Sequence, residues 1–180
     1  QKKFKESIEL YSKVIENESV ENKFAILYSR GIAYERSNQW KKAEKDLSDA
    51  LEINPNDPYV LNYLAYSWIE KGMNIEKSLE MLKNADSLRS NDGYITDSLG
   101  WALYKLKRYK EAKEYLKKAV QLMPSDPIVN DHFADILWMN GKKLQARYYW
   151  KYVLNLEDTD VELKNKINQK ILYGPSSVYK

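Results

Sequence analysis

The chain has 180 residues, with 29 Lys and Arg against 26 Asp and Glu, and no cysteine. A length of this order holds one domain, disulfides and thiolate chemistry are excluded, and no apolar run approaches the roughly 18 residues of a membrane span. Charge is uneven along the chain: residues 1–100 carry 14 Lys/Arg against 17 Asp/Glu, and residues 101–180 carry 15 against 9.

Taken in order, residues 1–19 predict one helix with Phe4, Ser7, Ile8, Tyr11, Val14 and Ile15 on its inner stripe, at the three-and-four spacing of an amphipathic helix. A polar connector, Glu18 to Lys23, follows. The chain opens at Gln1 inside what reads as the second helix of a hairpin, so it is expected to be a piece of a longer protein. Four helix–turn–helix units come next, over 24–57, 58–92, 93–126 and 127–157. The third shows the design. Asp92 is a good N-cap, because its carboxylate accepts the free N–H groups of the first turn. Ile95, Leu99, Ala102 and Leu103 form the stripe of the first helix, Lys107 and Arg108 turn the chain, and Tyr109, Ala112, Leu116, Ala119 and Val120 form the stripe of the second. Pro124 closes the unit, since proline lacks the N–H that a continuing helix needs. After the fourth unit, Thr159-Asp160-Val161-Glu162 has a capping-box spacing and opens a last helix over 159–173, with Val161, Leu163, Ile167, Ile171 and Leu172 inward and Lys164, Asn165, Asn168 and Gln169 outward. That pattern suits a terminal cap. Residues 174–180 are expected to be a loose tail. The count is ten helices and no strand.

The units superimpose column by column. Gly31, Ala65, Gly100 and Ala134 align; so do Ala43, Ser78, Ala112 and Ala146; Leu47, Leu82, Leu116 and Trp150; and Ala50, Ala85, Ala119 and Val153. The spacing is 34 or 35 residues, with the extra residue expected in the turn Gly72-Met73-Asn74. A period near 34 with small residues at helix crossings resembles the tetratricopeptide repeat family. The early tryptophan of that pattern is replaced by Leu27, Leu61, Thr96 and Asn130, and the closing proline by Ser90 and Asp158 in two units. The resemblance implies an all-α, right-handed superhelical solenoid that binds other proteins and does no chemistry.

It also implies where binding occurs. In that family the first helix of each pair lines a concave groove, and the exposed positions here include Tyr28, Tyr59, Asn62, Tyr66, Tyr94, Asp97, Trp101, Tyr104, Asp131, Asp135 and Trp138. Asn62, Asp97 and Asp131 share one position and form a ladder suited to the backbone of an extended segment, beside a band of aromatics; Trp and Tyr are common anchors at interfaces. Tyr28 and Ile32 stand where relatives with a clamp for an acidic C-terminal tail carry a basic residue and Asn, so such a tail is not the expected ligand. Asp97, Asp131 and Asp135 favour a basic or polar-apolar segment instead.

Other chemistries fit less well. Asp131-His132-x-x-Asp135 sets two carboxylates on one helical face beside the chain's one histidine, but a metal site wants more ligands at better angles, and a repeat-bridging or solvated His132 is expected. No cofactor, metal or small-molecule substrate is expected. The basic excess around Lys105, Lys107, Arg108, Lys110, Lys113, Lys117 and Lys118 sits mostly on outer faces beside Glu111 and Glu114, so nucleic acid is not the expected partner. Partners are expected to be proteins or peptide segments, a second copy of the chain included. Finer resemblance of the stretch from Leu61 to Trp150 to bacterial repeat proteins, some of them envelope adaptors, points toward a bacterial envelope role.

Overall fold

The computed structural model describes residues 2–17 and 19–179. Gln1, Glu18 and Lys180, which fall in the expected first helix, connector and tail, lie outside them. Among the described residues there are ten α-helices and no strand: α1 (Lys2–Val14), α2 (Val20–Arg36), α3 (Trp40–Ile53), α4 (Pro58–Glu70), α5 (Ile75–Leu88), α6 (Gly93–Lys105), α7 (Tyr109–Leu122), α8 (Pro127–Met139), α9 (Lys143–Leu154) and α10 (Val161–Tyr173). They form an α-solenoid of stacked hairpins, α2/α3, α4/α5, α6/α7 and α8/α9, with the first helices α4, α6 and α8 in a row.

Local chemistry sets the period. Asp57, Asp92, Asp126 and Asp160 cap α4, α6, α8 and α10, each with its carboxylate accepting backbone N–H groups of the first turn. These four caps recur at the repeat spacing, so α10 begins where the first helix of a further hairpin would begin. Its cap is Asp160, not Thr159; the Thr159 hydroxyl instead donates to the Val153 carbonyl at 2.6 Å and ties α10 back to α9. The hairpin turns hold three residues, except that between α4 and α5, which holds four.

The columns of small residues are where helices cross. Ala43, Ser78, Ala112, Ala146, Ala50, Ala85, Ala119 and Val153 are all fully buried, as are Leu47, Leu82, Leu116 and Trp150. At Gly100 the approach is close: a Cβ there would lie 2.7 Å from Leu116 Cγ, inside van der Waals contact. At either end the expected stripes are only partly buried. Ile8, Tyr11 and Ile15 are half-buried, but Phe4 and Val14 of α1 are exposed; the main packing partner of α1 is α2. On α10, Leu163 and Ile167 are buried, whereas Val161 and Leu172 face solvent.

Candidate functional site

The concave wall divides into an open upstream half and a filled downstream half. Upstream, α2, α4, α6 and the start of α8 surround a hollow of about 540 Å³ lined by Tyr28, Arg36, Tyr59, Asn62, Tyr63, Tyr66, Tyr94, Asp97 and Ile128, among others. Six residues expected on this wall from their repeat position meet here: Tyr28, Tyr59, Asn62, Tyr66, Tyr94 and Asp97. Tyr63, which the repeat position did not nominate, joins them by packing edge-on against Tyr28, with ring centroids 6.2 Å apart. Tyr59 and Tyr94 are 41% and 58% exposed at the rim, beside the capping residues Asp92 and Asp126.

The hollow is a place for hydrogen bonding and stacking. Burial raises the pKa of Tyr28, pushes that of Tyr63 up to about 12, and lifts that of Tyr66 further with help from Glu70 and Asp97. All three phenols are therefore neutral at physiological pH and keep their O–H, which on Tyr63 donates to Glu35 at 3.3 Å. Asp97 is 5% exposed; its Oδ2 meets His132 Nδ1 at 2.8 Å, and its Oδ1 has no hydrogen-bond partner among the described residues. Asn62 Oδ1 is likewise buried without a partner.

Downstream, the expected groove residues do not line an open surface. Trp101 is 0% exposed. Its indole stacks between Tyr104 (4.5 Å) and His132 (3.9 Å), and its Nε1 donates to Glu70 at 2.7 Å. Asp131 and Asp135 are buried and paired with Lys170, itself 0% exposed, at 2.7 and 2.8 Å. Trp138 packs on Trp150, with ring centroids 5.4 Å apart, and against Gly174. The physical reason is that the chain folds back into its own groove. Residues 174–179, expected to be loose, instead make a 3-10 turn at Pro175–Ser177 and deliver Tyr179 against Trp101 and Tyr104. The Tyr179 hydroxyl donates to Asp135 at 2.7 Å and accepts from Lys170 at 2.6 Å. Exposure of Trp101, Asp97, Asp131 and Asp135 is thus corrected: among these, only Asp97 reaches the open hollow.

Charge is handled by pairing. Burial alone would lower the pKa of His132, but the carboxylates of Asp97, Asp131 and Asp135, Asp97 foremost, together outweigh it and the net shift is upward. His132 on α8 and Asp97 on α6 therefore bridge two repeats. Asp135 is pushed up to about 6, first by burial and then by Asp131, with Lys170 pulling the other way. Trp150 Nε1 also donates to Asp135, at 3.1 Å. On α7, Arg108 is bidentate to Glu111 at 2.8 and 2.6 Å, as expected of a solvated outer face. Among the described residues no cluster of His, Cys, Asp and Glu is arranged to hold a metal ion, and no helix is long and apolar enough to cross a membrane.

Three comparisons converge on one family. The tetratricopeptide repeat profile matches residues 1–159. Over 103 residues the chain is 31% identical to a tetratricopeptide-repeat-containing protein of Pseudomonas aeruginosa, covering 57% of this chain and 18% of that protein. Over 138 residues it is 29% identical to the human cell division cycle protein 16 homolog, covering 72% of this chain and 22% of that one. The chain thus spans about a fifth of the length of these relatives. Among solved structures, a thermophilic tetratricopeptide protein of Thermus thermophilus superimposes with a TM-score of 0.74 at 16% identity, covering 94% of this chain and 91% of that one. A MamA double mutant superimposes with a TM-score of 0.71 at 19% identity, covering 87% and 88%. With the helix pairs, the period and the buried small-residue columns already in place, the chain belongs to the tetratricopeptide repeat family.

Proposed function

We propose that this chain is a non-catalytic interaction module that holds an extended segment of a partner protein in the upstream half of its concave wall. The single observation behind this reading is the open, tyrosine-rich hollow between α2, α4, α6 and α8. It offers flat apolar faces with polar tips, which anchor interfaces well, and two acceptor oxygens, on Asn62 and Asp97, that lack partners among the described residues. The backbone N–H groups of an extended peptide supply such donors. An acidic C-terminal tail is disfavoured, because Asp92, Asp97 and Asp126 border the hollow.

The reading is tested by placing a photo-crosslinking residue at Tyr59 or Tyr94 in the hollow, and at Tyr148, exposed on α9, in cells of the source organism. Discrete protein adducts from the two hollow positions, absent from Tyr148, are expected. Adducts from Tyr148 alone would move the site off the concave wall.

A further inference from the structure

We infer that the bound segment is anchored by a cationic side chain, lysine or arginine, received between Asp97 and the ring faces of Tyr59, Tyr66 and Tyr94. This rests on the reading of the hollow as a peptide groove and narrows it to a basic partner segment.

The first support is the accounting at Asp97. One carboxylate oxygen is spoken for by His132; the other is buried and accepts nothing among the described residues. Buried acceptors are nearly always satisfied, and a carboxylate is best satisfied by a charged donor. Asp97 lines the hollow, so a donor entering it approaches this residue.

The second support is the charge and shape of the surroundings. Asp92 and Asp126 border the same hollow. Each caps its helix through one oxygen, Oδ1, to which both capping N–H groups are bonded. Arg36 also lines the hollow, as its one cationic residue against three aspartates. The rest of the wall carries five tyrosines beside aliphatic and small polar residues, and ring faces attract cations. The chain already shows this at the rim, where the Arg89 guanidinium carbon sits 5.5 Å over the Tyr59 ring.

The third support is an internal precedent. Asp131 holds the same place in its repeat as Asp97. There the chain seats an ammonium of its own: Lys170 Nζ is 2.7 Å from Asp131 and 4.6 Å from the centre of the Tyr179 ring. Asp135 at 2.8 Å and the Tyr179 hydroxyl at 2.6 Å complete that seat, so an aspartate at this position takes part in holding a cation in this fold. In the downstream repeat Lys170 fills it; in the upstream one His132 takes Asp97 Oδ2, Oδ1 is left without a partner among the described residues, and Asp97 lines the hollow.

The test is a random heptapeptide library displayed on phage and panned against the full chain. The expected binders are enriched at least fivefold in Arg or Lys at one position over the unselected library. A resynthesised binder should lose tenfold or more in affinity with Asp97→Asn and with Tyr94→Ala, and equally when its basic residue is replaced by citrulline or norleucine. Tyr94 is exposed, so that variant keeps its fold, and the peptide replacements need no protein variant at all. Binders that depend on Tyr94 but carry no basic residue, or that ignore its replacement, would overturn the cationic anchor and leave the groove standing. Binders indifferent to both protein variants, or an empty selection, would overturn the groove as well.

Discussion

Lys170 and Asp135 form an ion pair with no surface at all: Nζ lies 2.8 Å from Oδ2, and neither residue is exposed. The pair ties α10 across the groove to α8, with Asp131 as a second carboxylate at 2.7 Å. A buried pair is weak evidence of net stabilisation, but breaking one half leaves a charge without compensation.

Lys170→Met keeps most of the stem volume and strands both carboxylates. A loss of about 3–5 kcal/mol is expected in urea unfolding. Adding Asp131→Asn and Asp135→Asn to the same chain should restore most of it, since neutral amides leave no charge without compensation; at position 135 the amide oxygen still accepts from Trp150 and the amide nitrogen donates to the Tyr179 hydroxyl, which Lys170 no longer occupies. No recovery would mean that Lys170 acts through packing alone.

The same cluster gives a pH dependence with one sign. His132 has a raised pKa in the folded chain, so its contribution is complete below its ordinary value of 6.5 and is lost as pH climbs through the raised one. Asp135, pushed from an ordinary 3.8 to about 6, also holds a proton more tightly folded than unfolded. Its contribution fades as pH rises across that interval. Stability should therefore fall as pH rises from about 4 to 6 through Asp135 and again above 6.5 through His132, and His132→Gln should flatten the upper part of the curve. The urea midpoint measured across this range decides it; a midpoint that rises toward pH 8 would contradict the assignment.

Much of the fold is legible in the sequence because the repeat is dictated by local geometry. A small residue is needed wherever two backbones approach, as Gly100 does Leu116, and an aspartate is a cheap way to start each first helix. Repeat position also tells which wall a residue takes, and Tyr28, Tyr59, Asn62, Tyr66, Tyr94 and Asp97 line one hollow. It does not tell what later lies over that wall. Trp101, Asp131 and Asp135 point to the concave side and are then covered by α10 and Tyr179. One signal was present. Lys170 continues the column Ala33, Ser67, Ala102 and Ile136, all buried. A lysine there needs carboxylates, and Asp131 and Asp135 sit on the preceding first helix.

Trp101 and Tyr94 should separate core from groove. Trp101→Ala removes a fully buried indole, its bond to Glu70 and two stacking partners, and a loss of about 3–5 kcal/mol is expected. Tyr94→Ala removes an exposed ring and should shift stability by no more than about 0.5 kcal/mol while weakening a peptide bound in the hollow. Thermal unfolding followed by circular dichroism distinguishes them; equal effects would place Trp101 outside the core.

Gly174 controls whether the chain closes over its own groove. Its φ is +84° with ψ 173°, a region that side chains other than glycine scarcely visit, and a Cβ there would lie 2.6 Å from the Trp138 ring. Gly174→Ala is thus strained twice, by backbone and by contact. The backbone alone costs about 1–3 kcal/mol, and the cheapest relief is for residues 175–179 to swing away from the wall. Tyr179 would then leave Lys170 and Asp135, and Trp101 would lose the ring that covers its edge. In two-dimensional NMR, the Trp101 indole N–H should exchange faster and its contacts to the Tyr179 ring should vanish, while the helices α2 to α9 keep their signals. Unchanged protection of that indole would show that the wall is closed by α10 without help from the segment after it.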